Sequence, residues 1–271
     1  MTGNPQRAWW GVTLIAAALL MVTMGARQSM GLFVSPINTT TGLGIVTISL
    51  ALGIGQFVWG AVQPVAGAFA DRYGPGRVLA VGIVVLAIGT ALTPLVSGGF
   101  GLVLTLGLLA AAGSGAGSFS VLIGAAAKRV PAESRGTASG VINAGGSFGQ
   151  FIFAPLLQKL ISLMGWMGAM WTLAFITLAT LPLARALRGQ PTTAHAPPVP
   201  GDHGLRHAVR SALGDRSYLL LHAGFFTCGF HIAFLVTHLP GEVGLCGLPS
   251  SVASWSLAII GLANIAGSLI A

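Results

Sequence analysis

The sequence predicts an all-α polytopic membrane protein, and three observations carry that prediction. Of its 271 residues, 54% are hydrophobic and 7% charged, with a mean hydropathy of +0.85, whereas roughly a quarter of residues are charged in soluble domains. Residues 28–70, 78–127, 136–158, 160–184, 217–241 and 243–271 contain no Asp, Glu, Lys or Arg. Each of these runs is as long as the roughly 20 residues that cross hydrocarbon. The basic residues between the runs fall almost entirely on one side of the resulting topology.

Eight spans follow, near 9–34, 45–66, 78–96, 101–127, 136–158, 161–184, 217–239 and 249–271. All are expected as helices, because a chain in lipid must satisfy its own backbone and no strand-like alternation appears. The first span has a rival reading as a signal peptide, since Arg7 precedes an apolar stretch. No small-residue cleavage site follows and the run continues past Arg27 to Pro36, which favours a retained span. Spans 1 and 2 share one charge-free run and are expected to break at Ser35–Gly44; spans 3 and 4 share another and are expected to break at Ser97–Gly101. Between spans 2 and 3, Gly67, Asp71, Arg72, Gly74 and Arg77 form a short charged segment, expected as a loop.

Arg7, Arg72, Arg77, Lys128, Arg129, Arg135, Arg185, Arg188, Arg206, Arg210 and Arg216 all fall in alternate connections, and only Lys159 falls on the other side. Orientation by cytoplasmic Lys and Arg then puts the N-terminus in the cytoplasm of a multi-pass inner-membrane protein. The net charge of +8 therefore reports topology and contact with the lipid bilayer, and no nucleic-acid footprint is present. Cys228 and Cys246 make neither a disulfide framework nor a zinc site, and no metal or cofactor is expected. Gly113, Gly115 and Gly117 lie in a charge-free span with no strand before them, so they are not a nucleotide loop. No His-Glu-x-x-His and no intramembrane Asp pair points to a membrane hydrolase, so no enzymatic activity is expected.

Residues 186–216 are the one linker. Pro191, Pro197, Pro198 and Pro200 oppose a continuous helix, and Leu205, Val209, Ala212 and Leu213 alternate with Arg206, His207 and Arg210 as in a short helix on the cytoplasmic membrane surface. An internal repeat explains the organisation. Thr23, Gly25, Arg27 and Pro36 match Thr227, Gly229, His231 and Pro240 at a constant offset of 204. Ser49 to Leu52 matches Ser256 to Ile259, and Gly60 matches Gly267, at an offset of 207. Spans 7 and 8 thus repeat spans 1 and 2, as in carriers built from parallel repeats. A second copy of the charged segment is expected near 274, which makes the chain an expected fragment truncated after its eighth helix.

The charged segment, a Gly, three residues, Asp-Arg, one residue, Gly and then a basic residue, closely resembles the loop between helices 2 and 3 of major facilitator superfamily transporters. Gly25–Phe33, Arg72–Arg77, Ala144–Gln150 and Cys228–Pro240 are similar to bacterial members of the monocarboxylate and oxalate carrier branch. Gly76 stands where that branch commonly has a second basic residue. The resemblance implies a major facilitator fold of twelve helices. Residues 1–185 would be a complete six-helix N-terminal half, 186–216 the linker, and 217–271 the first two helices of the C-terminal half. It also implies a secondary transporter of a small organic anion, monocarboxylate-like, working by alternating access with a coupling proton. Asp71, Arg72 and Arg77 with Gly67 and Gly74 would be a cytoplasmic gate motif. An exporter of drugs or other small molecules, and an inactive carrier fragment, remain alternatives. Span 4 lacks the Arg, and span 5 the Gly-Pro pair, of drug antiporters.

Four side chains are candidates for substrate binding. Arg27 has two open readings. As a guanidinium inside a span, with none of Asp71, Glu133, Asp202, Asp215 and Glu242 placed to pair with it, it can receive a carboxylate on its fork of donors. Alternatively, it snorkels to the outer interface. His231 is its repeat-equivalent and titrates near neutrality, so it either flanks the same cavity and carries the proton or is a packing histidine. Asn143 and Gln150 either line the cavity or bond between helices.

Overall fold

The computed structural model describes residues 5–188 and 210–270, all helical apart from short turns. The helices are α1 (Pro5–Gln28), α2 (Val34–Thr41), α3 (Ile45–Tyr73), α4 (Pro75–Leu92), α5 (Gly99–Leu102), α6 (Ala111–Ala116), α7 (Phe119–Ala127), α8 (Arg135–Ala179), α9 (Leu181–Ala186), α10 (Arg216–Leu245) and α11 (Ser250–Ile270). Among the described residues, seven helical segments are long and apolar enough to cross a membrane. One of them, Ala132–Ala186, is 55 residues long. Gly165 breaks it with φ 73° and ψ 170°, a conformation natural only to glycine, so its two arms supply the fifth and sixth of the eight expected spans.

Several boundaries differ from expectation, each for a local reason. The turn between spans 5 and 6 sits at Gly165, and Lys159 lies inside the helix, because Lys159–Met164 contains no residue that turns the chain. The break expected over Ser35–Gly44 shrinks to Gly42–Gly44. Val34–Thr41 is helical, with Pro36 tolerated in its first turn and Gly42 at φ 66° ending it. The charged segment is a helix end rather than a loop. α3 runs through Tyr73, Gly74 alone leaves helical geometry (φ 91°, ψ 139°), and Pro75 starts α4. Span 4 is not one regular helix, since Val103–Ala110 is a π segment between α5 and α6. Of the expected linker, residues 210–214 are helical; Leu205 and Val209, on which the surface helix was argued, lie outside the described residues.

Glycine decides how the helices meet. A Cβ on Gly145 would lie 2.7 Å from the Ala17 carbonyl oxygen, one on Gly149 would overlap the Met21 carbonyl, and one on Gly25 would lie 2.7 Å from the Phe153 ring. These pairs keep a constant separation, so α1 and the first arm of α8 run parallel and nearly touch. Gly113 meets α4 at the Gly82 carbonyl, Gly115 meets α3 at the Trp59 carbonyl, and Gly117 meets Thr23 of α1. Three glycines in five residues therefore seat span 4 against three different helices. Thr23 Oγ1 also donates to the Gly117 carbonyl at 3.0 Å, which fixes that crossing.

The last two helices attach differently. α11 runs antiparallel to the first arm of α8 along most of its length, with Gln158 Nε2 donating to Ser250 Oγ at 3.0 Å near one end and Asn143 Nδ2 donating to Ser268 Oγ at 2.7 Å near the other. Between them Gly261 sits on the Ser147 carbonyl, where a Cβ would lie at 2.7 Å. α10, capped at its start by the Asp215 carboxylate accepting from the Ser217 amide at 2.8 Å, is buried only at Val236 and Val243. It meets the first six spans where Gly31, between α1 and α2, leaves no room for a Cβ against the Val236 carbonyl. Residues 216–232 of α10 are exposed.

The glycine seams give the first prediction. Gly149→Val should lower the folded, monodisperse yield several-fold and depress the melting temperature in detergent, because overpacking costs roughly 1–3 kcal/mol or more. Gly60→Val, whose Cβ would meet nothing within 4 Å, should leave both within error. Size-exclusion fluorescence and a thermal melt read the difference.

Candidate substrate site

Arg27 stands in the last turn of α1, followed by a turn of tight helix at Met30–Phe33. The span in which it lies runs from Trp9 to Thr41, so Arg27 is far from both ends. Its side chain lines a cavity of about 50 Å³ with Gln56, Thr90, Ser114 and Thr237, walled by Leu52, Leu86 and Leu106. The guanidinium donates to Gln56 Oε1 and lies over the Trp59 ring, 3.9 Å from its centroid. Both partners are neutral. Such contacts stabilise a guanidinium inside a span, where an ionised side chain costs about 2.5–3.5 kcal/mol, but they bring no negative charge to it. Among the described residues no carboxylate pairs with Arg27, so the charge at this cavity is solvated by neutral groups and not neutralised.

The hydroxyls near Arg27 are oriented by their own helices. Thr90 Oγ1 donates to the Leu86 carbonyl and Ser114 Oγ to the Ala111 carbonyl, leaving their lone pairs directed elsewhere. The π segment contributes Leu106 and Ala110 to the same cavity, at the kind of helix irregularity that concentrates at functional sites.

The other predicted residues are not gathered around Arg27. His231 is exposed on α10 and does not line the cavity, whose α10 residues are Val236 and Thr237. Asn143 bonds Ser268 across the α8–α11 seam. Gln150 is wholly buried on the same seam, its Cβ 3.2 Å from the position a Gly261 Cβ would take, and neither amide atom has a hydrogen-bond partner. At the basic end, Asp71 pairs with Lys128 at 2.9 Å. Arg72 lies 5.4 Å from the centre of the Tyr73 ring, and Arg77 lines a separate cavity. Gly67 meets nothing, whereas Gly74 supplies the turn. Arg129 donates to the carbonyls of Ala186 and Arg188, tying the turn after α7 to the end of α9.

Neither Gln56 nor Trp59 is among the candidates singled out from the sequence. Nothing in one sequence marks contacts 29 and 32 positions apart; only the i, i+3 spacing of Gln56 and Trp59, which puts both on one side of α3, was available as a signal. The string Gly145-x-Ser147-x-Gly149 matches the nucleophile elbow of hydrolases, but it lies in mid-helix in α8 instead of on a strand-to-helix turn. Among the described residues no group of three His, Cys, Asp or Glu side chains could hold a metal ion.

A bundle of membrane-crossing helices packed through glycine, with Arg27 on an internal cavity, is a polytopic membrane protein. The chain belongs to the Major Facilitator Superfamily, whose profile matches residues 14–271. It is 27% identical to monocarboxylate transporter 13 of Bos taurus over 271 residues, covering 97% of this chain and 61% of that protein. It is 24% identical to the oxalate:formate antiporter of Oxalobacter formigenes, covering 94% of this chain and 60% of the relative. The chain thus spans about three-fifths of the length of both. The crystal structure of a D-xylose-proton symporter superposes with a TM-score of 0.66 at 15% identity, over 96% of this chain and 67% of that one. Family and relatives are transporters, so the chain is a member of a carrier family and not of an enzyme family.

The seam makes the second prediction. A buried polar group without a partner costs roughly 1–3 kcal/mol, so Gln150→Leu, which removes both orphan atoms at similar volume, should raise the melting temperature by a few degrees. A fall would show that Gln150 has a partner in the protein in solution.

Proposed function

We propose that the protein is the transport machinery, or a principal part of it, of a secondary carrier for a small organic anion of monocarboxylate type. The single observation that carries this reading is Arg27, an intramembrane guanidinium on an internal cavity held only by the neutral Gln56 and Trp59. A carboxylate entering the cavity would receive the remaining donors of the guanidinium fork, a match that ammonium does not reproduce. Gln56 and Trp59 position the fork rather than neutralise it. The names of the bovine and Oxalobacter relatives support the same substrate chemistry.

Alternating access has a physical basis in the unequal seams. Residues 1–185 form one body, 186–216 the connection, and 217–271 belong to the second body. α11 holds to α8 along its length, while α10 meets the first body over the part that contains Val236 and Val243 and is exposed over 216–232. A rocking motion about that arrangement would open the cavity on one side at a time. Asn143 and Gln150, on the moving seam, enter the substrate path only as it shifts. Asp71 with Lys128 latches the basic end, with Arg72 and Arg77 beside it. The excess of Lys and Arg at that end supports a cytoplasmic position for it and for the N-terminus, with the chain in the cell's inner membrane. His231 is the residue proposed to carry a coupled proton, on its repeat relation to Arg27 and the titration range of imidazole.

The test is uptake by proteoliposomes of the chain, alone or with any further segment its activity needs. Arg27→Ala should reduce uptake of a labelled monocarboxylate at least 100-fold, and Arg27→Lys should retain a few per cent because the fork is lost. Uptake unchanged in the Ala variant would end the anion-site reading. In the same vesicles His231→Gln should keep substrate exchange yet lose acceleration by an inward proton gradient. A gradient response equal to the parent protein would assign the proton to another group.

A further inference from the structure

A second cavity, of about 470 Å³, lies between α3, α4 and α6, away from Arg27. Val65, Phe69, Val81 and Val85 form its walls, and Tyr73 and Arg77 stand at one end. Val65, Phe69 and Val81 are exposed, so the cavity opens sideways from the bundle, towards hydrocarbon in a membrane. Its size falls in the range of roughly 300–1,000 Å³ typical of small-molecule sites. Along α3 it extends from Val62 to Tyr73, a rise of about 16 Å at 1.5 Å per residue. That is about half of a hydrocarbon core of roughly 30 Å, or one leaflet.

The polar end lies at the helix turn formed by Gly74, on the basic side of the protein. The one described ion pair, Lys128 with Asp71, occupies the neighbouring carboxylate, and no described side chain pairs with Arg77. Tyr73 and Arg72 lie beside it. The groove is thus apolar for the depth of one leaflet and cationic at headgroup level, which fits an amphiphile with a long tail and a negative head. A soluble anion would have no use for the walls, and a neutral lipid none for the guanidinium.

We propose that this groove binds an anionic phospholipid of the leaflet on the basic side, one acyl chain lying between α3, α4 and α6 and the phosphate on Arg77. The bound lipid fills the space between α3 and α4 and holds the turn at Gly74 to the membrane surface. This site is independent of the substrate reading, since it rests on membrane embedding and the groove alone.

Native mass spectrometry of the purified full chain, offered equal amounts of phosphatidylglycerol and phosphatidylcholine with identical tails, tests it. The parent protein should retain phosphatidylglycerol over phosphatidylcholine by about five-fold, as one basic residue near a charged headgroup provides. Arg77→Gln should bring the ratio near one, and Arg77→Lys should preserve most of it. Val81→Trp, which fills the groove from its open side, should reduce retention of both lipids. Glycerol 3-phosphate in excess should displace neither. Equal retention by the parent, a ratio unchanged in monodisperse Arg77→Gln, or displacement by glycerol 3-phosphate would overturn the proposal.

Discussion

Backbone-to-backbone approach through glycine is the constraint on which the structure depends. Lipid tails are as apolar as leucine, so helices in a bilayer gain no hydrophobic drive from meeting each other. What remains is dispersion, which falls away steeply with a gap of even half an ångström, and hydrogen bonds. Gly145 and Gly149 against α1, Gly113 against α4, Gly115 against α3 and Gly261 against α8 remove the side chain at the point of crossing. Backbones then reach distances at which many weak contacts add. The interhelical hydrogen bonds are few, such as Thr23 to Gly117 and Gln158 to Ser250, and contribute on average about 0.6 kcal/mol each in membranes. They fix register rather than carry stability.

That division of labour explains which features were legible in the sequence. Charge-free runs, the sidedness of Lys and Arg, and the family's charged segment report the cost of placing charge in lipid, and each residue carries that cost individually. The number of traverses and the family followed directly. Boundaries depended instead on which residue can leave helical geometry. Lys159 marked a turn by its charge, yet five more residues remain helical because Gly165 alone adopts φ 73°. Gly67 to Arg77 suggested a loop by its polarity, yet a single residue, Gly74, suffices to reverse the chain. The π segment at Val103–Ala110 left no trace in composition, since extra turn width arises from packing against α3 and α4.

The candidate site was half legible for the same reason. Arg27 declared itself because an isolated cation in a span is costly wherever it points. Its surroundings did not, because Gln56 and Trp59 belong to a different helix and nothing in their own neighbourhood distinguishes them from packing residues. The repeat relates α10 to α1 in sequence, but symmetry in sequence is not equality of environment. Arg27 lies on an internal cavity and His231 is exposed. α1 is enclosed by α8 and span 4, whereas α10 among the described residues touches its neighbours mainly near Val236 and Val243.

The basic end shows how weak interactions become consequential when they share a task. Asp71 and Lys128 form an exposed pair, and such pairs contribute at most about 1 kcal/mol. Arg129 adds bonds to the carbonyls of Ala186 and Arg188, which are the unsatisfied acceptors of a helix end and attract cations. One short turn after α7 therefore reaches both the end of α3 and the end of α9 through adjacent residues, Lys128 and Arg129. Gly76 lets α4 sit against that same α9 end, where a Cβ would lie 2.7 Å from the Ala184 carbonyl. The ends of spans 2, 3, 4 and 6 are thereby fastened to one another, while α10 carries no such tie. A motion that separates the halves breaks none of these bonds; what it has to work against is the α8–α11 seam, where Gln158 to Ser250, Asn143 to Ser268 and the Gly261 contact hold the last helix to the first bundle.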